Sequence, residues 1–495
     1  MERFVSLRPS EEDLMLRELA IETHTGSVAV ADRAVQPAVV SAVDKASIRR
    51  VILASSLGTI FEYYDFYLYG TLAVFFGGLF FPPGNDRAAL LASLATFGAG
   101  FGVRPLGAVV FGRIGDLTGR KYTFLLTVLT MGLATALTGF LPTYSQVGMW
   151  APFLLVFLRL AQGLALGGEY GGAATYVAEH VPDSQRGYYT SYIQTAATIG
   201  FLISLAVIGG TRVYYGVEAF KSFGWRLPFL FSFILLGVSL YIRLRMNESP
   251  VFAKLKSDGK VSKNILKESF GNKKNLKLVL LALFGATAGQ GVIWYTGQFY
   301  ALTFLQKPLN LDWTLAYPLV AISLIIGTPF FVYFGNLSDR IGRKKIMVTG
   351  CVLATVTYIP IYMAITRLAN PDLQAKVQSL PMINMVGIVA LLTLQIIYVA
   401  IGYGPIAAFL VELFPTSIRY TSMSLPYHLG FGWFGGFLPL IATATTTSAW
   451  ATGNFGSGAI YLGLVYPCVV CLMSAIVGGL FIKETKDHKI DTAIH

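Results

Sequence analysis

Polar and charged residues along this chain fall in short clusters, and the intervals between the clusters are almost wholly apolar. Twelve intervals approach or exceed the roughly 20 residues a helix needs to cross a bilayer. They lie near 51–80, 88–112, 122–141, 151–181, 188–211, 225–243, 277–305, 314–335, 346–366, 383–413, 421–446 and 458–482. Between Val51 and Phe81 the only charged residues are Glu62 and Asp65. The pattern predicts an all-α membrane protein with twelve transmembrane helices.

Composition agrees with that reading. Of the 495 residues, 54% are hydrophobic and 13% are charged, where a soluble protein carries about a quarter charged. The net charge of +12 would suggest nucleic acid as a partner in a soluble protein. Here topology accounts for it. With the N-terminus in the cytoplasm and the spans alternating, cytoplasmic segments hold 29 Lys and Arg and external segments hold 7. The excess of positive charge predicts both termini cytoplasmic. The expected location is the plasma membrane, the inner membrane in a bacterium. The expected partners are the lipid bilayer and a small-molecule metabolite, with no nucleic acid, and the expected state is a monomer. Residues 1–45 lack the apolar core of a signal peptide. Ser10 and Asp13 could cap a short helix ending near Leu19, or the segment is an extension without structure. Cys468-x-x-Cys471 sits in the last apolar run with no charged or His neighbour, so it reads as packing and no metal site is expected.

The chain repeats itself. Gly112-Arg113-Ile114-Gly115-Asp116-Leu117-Thr118-Gly119-Arg120-Lys121 follows span 2. Gly335-Asn336-Leu337-Ser338-Asp339-Arg340-Ile341-Gly342-Arg343-Lys344 follows span 8, 223 residues later. Glu179 precedes Arg186 by seven residues, and Glu412 precedes Arg419 by seven, 233 residues further on. Duplication of a six-span unit explains four matching loops in order. The predicted plan is an N-terminal extension at 1–45, bundles at 46–246 and 277–485, a cytoplasmic linker at 247–276 and a tail at 486–495. The fold expected is two pseudo-symmetric six-helix bundles.

These loops resemble the hallmark of the major facilitator superfamily. Other stretches narrow the likeness: Phe61-Glu62-Tyr63-Tyr64-Asp65-Phe66, Arg104-Pro105-Leu106-Gly107, Arg159 with Gln162-Gly163 and Gly167-Gly168-Glu169-Tyr170-Gly171-Gly172, and Gly224-Trp225-Arg226-Leu227-Pro228-Phe229. Together they resemble the metabolite:H⁺ symporter family, whose members carry citrate, 2-oxoglutarate, shikimate, and proline with betaine. The chain departs from that family in having Tyr near position 63 or 64 and at 170, where Trp is usual, and His428, where Asn is common. The resemblance implies alternating access by two rocking bundles and a cytoplasmic latch. Gly112, Asp116, Gly119, Arg120, Glu179, Arg186 and the region from Arg243 to Glu248 would form it in the first half. Gly335, Asp339, Gly342, Arg343, Glu412 and Arg419 would form it in the second. The physical basis is that a carboxylate there can meet a helix N-terminus or a guanidinium.

An ionisable residue inside a span is costly and marks a functional site by default. Glu62, Asp65, Arg104, Arg159, Glu169 and His428 qualify. At about 1.5 Å of rise per residue, Asp65 and Arg159 reach similar depth in the outer half of the membrane. They are expected to pair and to couple protons together with Glu62. Arg104 and Glu169 lie in the inner half and are expected to form a second pair. Gln290, Trp294 and Gln298 recur at helical spacing with Tyr295. With Arg159, Gln162 and His428 they are expected to line the substrate cavity.

No catalytic motif is present. The sequence holds no Gly-rich phosphate loop ending in Lys-Ser or Lys-Thr, no His-Glu-x-x-His and no Gly-x-Ser-x-Gly, so neither ATP drive nor an enzyme is implied. The expected function is proton-coupled symport of a carboxylate-bearing organic acid or zwitterion, with the proton as coupling ion and no cofactor. An antiporter or uniporter would share these motifs, and a non-transporting membrane sensor is the other alternative.

Overall fold

The computed structural model describes residues 45–118, 120–244, 265–415 and 418–488. The N-terminal segment with Ser10 and Asp13, and most of the linker, fall outside them. So do Gly119 and the side chains at Gly112, Asp116 and Arg120, so the first-half loop motif has no described geometry.

Twelve long helical segments carry the chain, as the apolar intervals require. The first bundle contains α1 (Lys45–Phe80), α2 in two pieces (Asp86–Gly102 and Arg104–Thr118) and α3 (Arg120–Thr138). It continues with α4 (Trp150–Ala178), α5 (Arg186–Tyr215) and α6 (Leu227–Leu244). The second contains α7 (Lys273–Gln306), α8 (Trp313–Ile341), α9 (Arg343–Ala369), α10 (Met382–Leu413), α11 (Arg419–Thr446) and α12 (Ala449–Phe481). Several helices outrun their apolar intervals because helix geometry continues into the polar loops. α2 runs on to Thr118, and α1 starts six residues before Val51.

Small residues set how closely these helices pack. In α4, Gly163 and Gly167 are four apart and face α2. A Cβ on Gly163 would collide with the Gly100 carbonyl, and one on Gly167 with the Arg104 carbonyl. Gly107 of α2 makes the same close approach to Leu164. Backbone contact of this kind is how helices associate where lipid supplies no hydrophobic drive.

The two bundles meet through helix pairs that the internal repeat exchanges: α5 against α8 and α2 against α11, with α4 on α11 and α5 on α10. At the basic end Gly187 and Ser191 of α5 touch Gly335 of α8. Midway, Tyr170 of α4 stacks on Tyr427 of α11 with ring centroids 3.5 Å apart. Toward the other end Phe437 of α11 fills the space over Gly98 of α2. Arg212 of α5 sits 5.1 Å from the Trp313 ring of α8. Contacts at all three levels make this an occluded arrangement.

α7 and α11 are not uniform α-helices. Leu283–Thr287, Thr296–Tyr300 and His428–Gly435 take the wider π-helical turn, a local unwinding frequent at functional sites.

Candidate functional site

The centre of the bundle interface is aromatic. Tyr67 of α1 stacks on Trp294 of α7 at 5.3 Å and packs against Phe299 at 4.8 Å. Tyr295 of α7 meets Phe101 of α2 edge-on at 5.1 Å. Nearer the basic end, the Tyr427 hydroxyl bonds that of Tyr403 at 2.7 Å and lies 3.5 Å from that of Tyr63.

Two arginines enter this cluster from the first bundle. The guanidinium carbon of Arg104 lies 3.9 Å from the Phe101 ring centroid and 4.4 Å from that of Phe66. That of Arg159 lies 4.2 Å from Phe66 and 4.5 Å from Tyr69. Arg159 Nη1 donates to Gln162 Oε1 at 2.5 Å, and Gln162 Nε2 donates to Thr135 Oγ1 at 2.9 Å. Both arginines are buried, and each leaves Nε and Nη2 without a hydrogen bond. Among the described residues neither pairs with a carboxylate. Cation–π contact offsets part of that cost, about 2 kcal/mol or more per contact when desolvated.

The acids are elsewhere, and this corrects both expected pairs. Glu169 does not meet Arg104. It pairs with Arg243 of α6, and the same Nη2 donates to Glu62 Oε1 at 2.7 Å. Asp65 does not meet Arg159. Its carboxylate turns toward Thr135 of α3 and Ser232 of α6, and its Oδ1 is buried without a hydrogen bond. Depth alone suggested the pairs, but azimuth decides. Asp65 and its helix neighbour Phe66 point to different sides of α1, and Phe66 is the one that reaches Arg159.

The expected cavity residues divide. Arg159, Gln162, Trp294 and Tyr295 belong to the central cluster. His428 joins them, with the Arg104 guanidinium and the Gly167 carbonyl beside it and both ring nitrogens buried without a hydrogen bond. Gln298 is buried with its whole amide unbonded. Gln290 is a correction. Its Nε2 donates to the Met347 carbonyl at 3.1 Å, and its carboxamide fills the space over Gly402. It braces α7 against α9 and α10 and is spent on that contact.

The described latch residues come together at the basic end, through ion pairs that cross between the bundles as well as pairs within the second. Arg186 Nη1 of the first bundle meets Glu412 Oε1 of the second at 2.9 Å. Arg419 of the second bundle meets Glu179 of the first at 3.6 Å. Asp339 accepts from the backbone amides of Gly187 at 2.8 Å and Tyr188 at 2.7 Å, capping the start of α5, and pairs with Arg343 at 2.6 Å. Arg343 also reaches Glu412 at 3.0 Å. Gly335 permits the close approach of α8 to α5, and Gly342 takes φ +106° at the turn into α9.

Sequence reasoning missed three parts of this arrangement. Phe66 is the shared platform of two arginines, and nothing in its type sets it apart from 34 other phenylalanines. Arg243, which the sequence places with the region up to Glu248 in the first-half latch, is the partner of two intramembrane acids, Glu62 and Glu169. The residues after α12 close over the latch. Glu484 caps α9 through the Arg343 amide at 2.8 Å, and Thr485 Oγ1 donates to Glu412 at 2.8 Å.

Comparison with known proteins fixes the class. The sequence profile of the Major Facilitator Superfamily matches residues 56–425, and the chain belongs to that superfamily. It is a multi-pass membrane transporter and not an enzyme. It is 35% identical over 440 residues to the inner membrane metabolite transport protein YhjE of Escherichia coli K12, covering 86% of this chain and 93% of that one. It is 34% identical to the shikimate transporter of the same organism, covering 87% and 94%. It is 32% identical to the glycine betaine/proline/ectoine/pipecolic acid transporter OusA of Dickeya dadantii, covering 92% and 87%. Among solved structures, the proton:xylose symporter XylE matches with a TM-score of 0.70 at 19% identity, covering 90% of this chain and 98% of that one. That likeness establishes the twelve-helix fold.

Proposed function

We propose that this transporter carries a small carboxylate-bearing metabolite together with a proton. The observation that carries this reading is the pair of buried arginines, Arg104 and Arg159, stacked on one phenylalanine and paired with no carboxylate among the described residues. A buried cation without a partner is expensive. Such a site is poised for a ligand that supplies negative charge, and guanidinium forks match carboxylates in shape. Trp294, Tyr295, Gln298 and His428 of the second bundle supply the polar and ring contacts that would orient the rest of the ligand.

Proton coupling follows from charge. Glu62, Asp65 and Glu169 lie apart from Arg104 and Arg159, and Arg243 lies among the acids. With all six ionised their charges cancel. A carboxylate arriving at the arginines makes the set negative, and one proton on an acid restores neutrality. Asp65, whose Oδ1 has no hydrogen bond, and Glu62 carry this role. Arg159 is the substrate side of the same balance, linked toward Asp65 through Gln162 and Thr135. The latch geometry supports alternating access, because every cross-bundle ion pair at the basic end must break for that end to open. Two relatives carry shikimate and betaines respectively. The free arginines favour an acid over a betaine, whose cationic head they would repel.

The test is a thermal-shift screen of the purified protein against mono-, di- and tricarboxylates, betaines and sugars. Carboxylates should raise the midpoint, and Arg159→Gln and Arg104→Gln should each remove the effect. Stabilisation by sugars or betaines alone would refute the anion reading. Uptake into vesicles under an imposed pH gradient tests coupling. Asp65→Asn should lose concentrative uptake and keep counterflow exchange. An antiporter or uniporter would show no substrate-driven proton uptake in the parent protein.

A further inference from the structure

The acidic side of the first bundle contains more than Asp65. Glu62 of α1 and Glu169 of α4 share one guanidinium, Arg243 of α6, through the same nitrogen. All three side chains are at most 8% exposed. Among the described residues each acid pairs with Arg243. Fully ionised, the three carry a net negative charge within the protein interior, where residual charge is costly. One added proton makes the cluster neutral. Two acids held this close behave as a unit toward protons. The charged groups facing Glu62 are Arg243 from α6, Glu169 from α4 and Asp65 one turn along α1, while α5 meets this stretch of α1 through Gly200.

Glu169 also stands at a break. α4 is interrupted at Gly168 and Glu169 itself, and the chain resumes as helix at Tyr170. The other bundle holds this break in place. Tyr420 of α11 donates its hydroxyl to the Gly168 carbonyl at 2.5 Å, and Ser424 of α11 lies against Gly171. The acid that completes the cluster is therefore positioned by a segment that the opposite bundle grips only while the two are closed at this level.

We infer that Glu62 and Glu169 share one exchangeable proton across Arg243, and that parting of the bundles at the basic end releases it. When α11 withdraws, the α4 break relaxes and Glu169 leaves Arg243. Glu62 and Arg243 then form a neutral one-to-one pair. The O–H bond of the shared carboxylic acid breaks, and its proton passes to water in the opened vestibule. No electrons move. The inference rests on the proton-symport reading and deepens it: the proton is released from the Glu62–Glu169 pair, and Asp65, one turn along α1, relays it to Glu62.

The experiment is infrared titration of the purified protein in lipid nanodiscs, following the carbonyl stretch of protonated carboxylic acids. The parent protein should show such a band at neutral pH. Glu62→Gln and Glu169→Gln should each lose it, and Asp65→Asn should keep it. Glu169→Asp, which keeps the charge and draws the carboxylate back by one methylene, should shift the pH at which the band disappears. Should neither Gln variant fold, an unshifted Asp variant alone overturns the assignment. Tyr420→Phe loosens the α4 break and should make the band disappear at lower pH, and an unchanged titration overturns the link to closure. A band lost only in Asp65→Asn moves the proton to Asp65. That outcome sinks the shared-proton site and leaves symport intact, whereas failure of symport itself appears separately as uptake indifferent to the pH gradient.

Discussion

Arg186 at the start of α5 and Glu412 near the end of α10 are 2.9 Å apart, with both side chains wholly buried. They come from different bundles, and Arg343 shares the same carboxylate. Removing the charge of Glu412 leaves two guanidinium groups facing each other. Breaking a buried ion pair costs about 3–5 kcal/mol. Glu412→Gln should therefore lower the thermal midpoint by several degrees and favour opening of the basic end. A cysteine placed at Ser191, buried against Gly335, should then react faster with a membrane-permeant maleimide. Unchanged labelling and midpoint would show that the contact does not hold the bundles together.

Asp339 works by a different route, accepting two backbone amides at the first turn of α5. A carboxylate there satisfies orphan donors and meets the positive end of the helix. Asp339→Asn keeps the shape and removes the charge, weakening the contact by about 1–2 kcal/mol. Initial uptake should fall several-fold while the amount of folded protein stays constant. The internal repeat extends the same expectation to Asp116→Asn. Normal transport in both variants would remove the latch from the mechanism.

The sequence announced what depends on distance along the chain and hid what depends on rotation about it. The twelve spans were legible, because hydropathy encodes them directly, and spacing picked out Glu179, Arg186, Asp339, Arg343, Glu412 and Arg419, which meet at the basic end. Which bundle each latch residue bonds to was not, since Glu179 and Arg419 stand 240 residues apart and meet only after folding. Depth grouped Asp65 with Arg159, yet the arginine meets Phe66, one residue further round α1. In α7 the π-helical turn at Thr296–Tyr300 upsets the 3.6-residue count between Trp294 and Gln298, whereas Gln290 stands one regular turn before Trp294 and is drawn off by the Met347 carbonyl and the space over Gly402.

Phe66 offers a direct test of the paired arginines. Its ring lies 4.4 Å from Arg104 and 4.2 Å from Arg159. Phe66→Leu keeps an apolar side chain and removes the π face from both. Each contact is worth on the order of 2 kcal/mol when buried, so carboxylate binding should weaken at least tenfold and the midpoint should fall. Phe76→Leu, in an aromatic cluster with Trp225 and Phe229, serves as the packing control. It should lower the midpoint and leave affinity alone. Equal loss of affinity in both would reduce Phe66 to a packing residue.

Gln290 separates a brace from a ligand contact. Its amide bonds the Met347 carbonyl at 3.1 Å and lies where a Cβ on Gly402 would stand. Gln290→Leu should cost about 1 kcal/mol, the net worth of one hydrogen bond, and leave the KM for transport unchanged. Gly402→Ala should be worse, because its methyl overlaps the carboxamide and α10 cannot stay as close to α7. Combining Gly402→Ala with Gln290→Ala removes the overlap, so the double variant should be more stable than additivity predicts, as expected for residues in contact. Thermal midpoints of the two single variants and the double variant measure the coupling. A raised KM in Gln290→Leu with additive midpoints would return Gln290 to the substrate cavity.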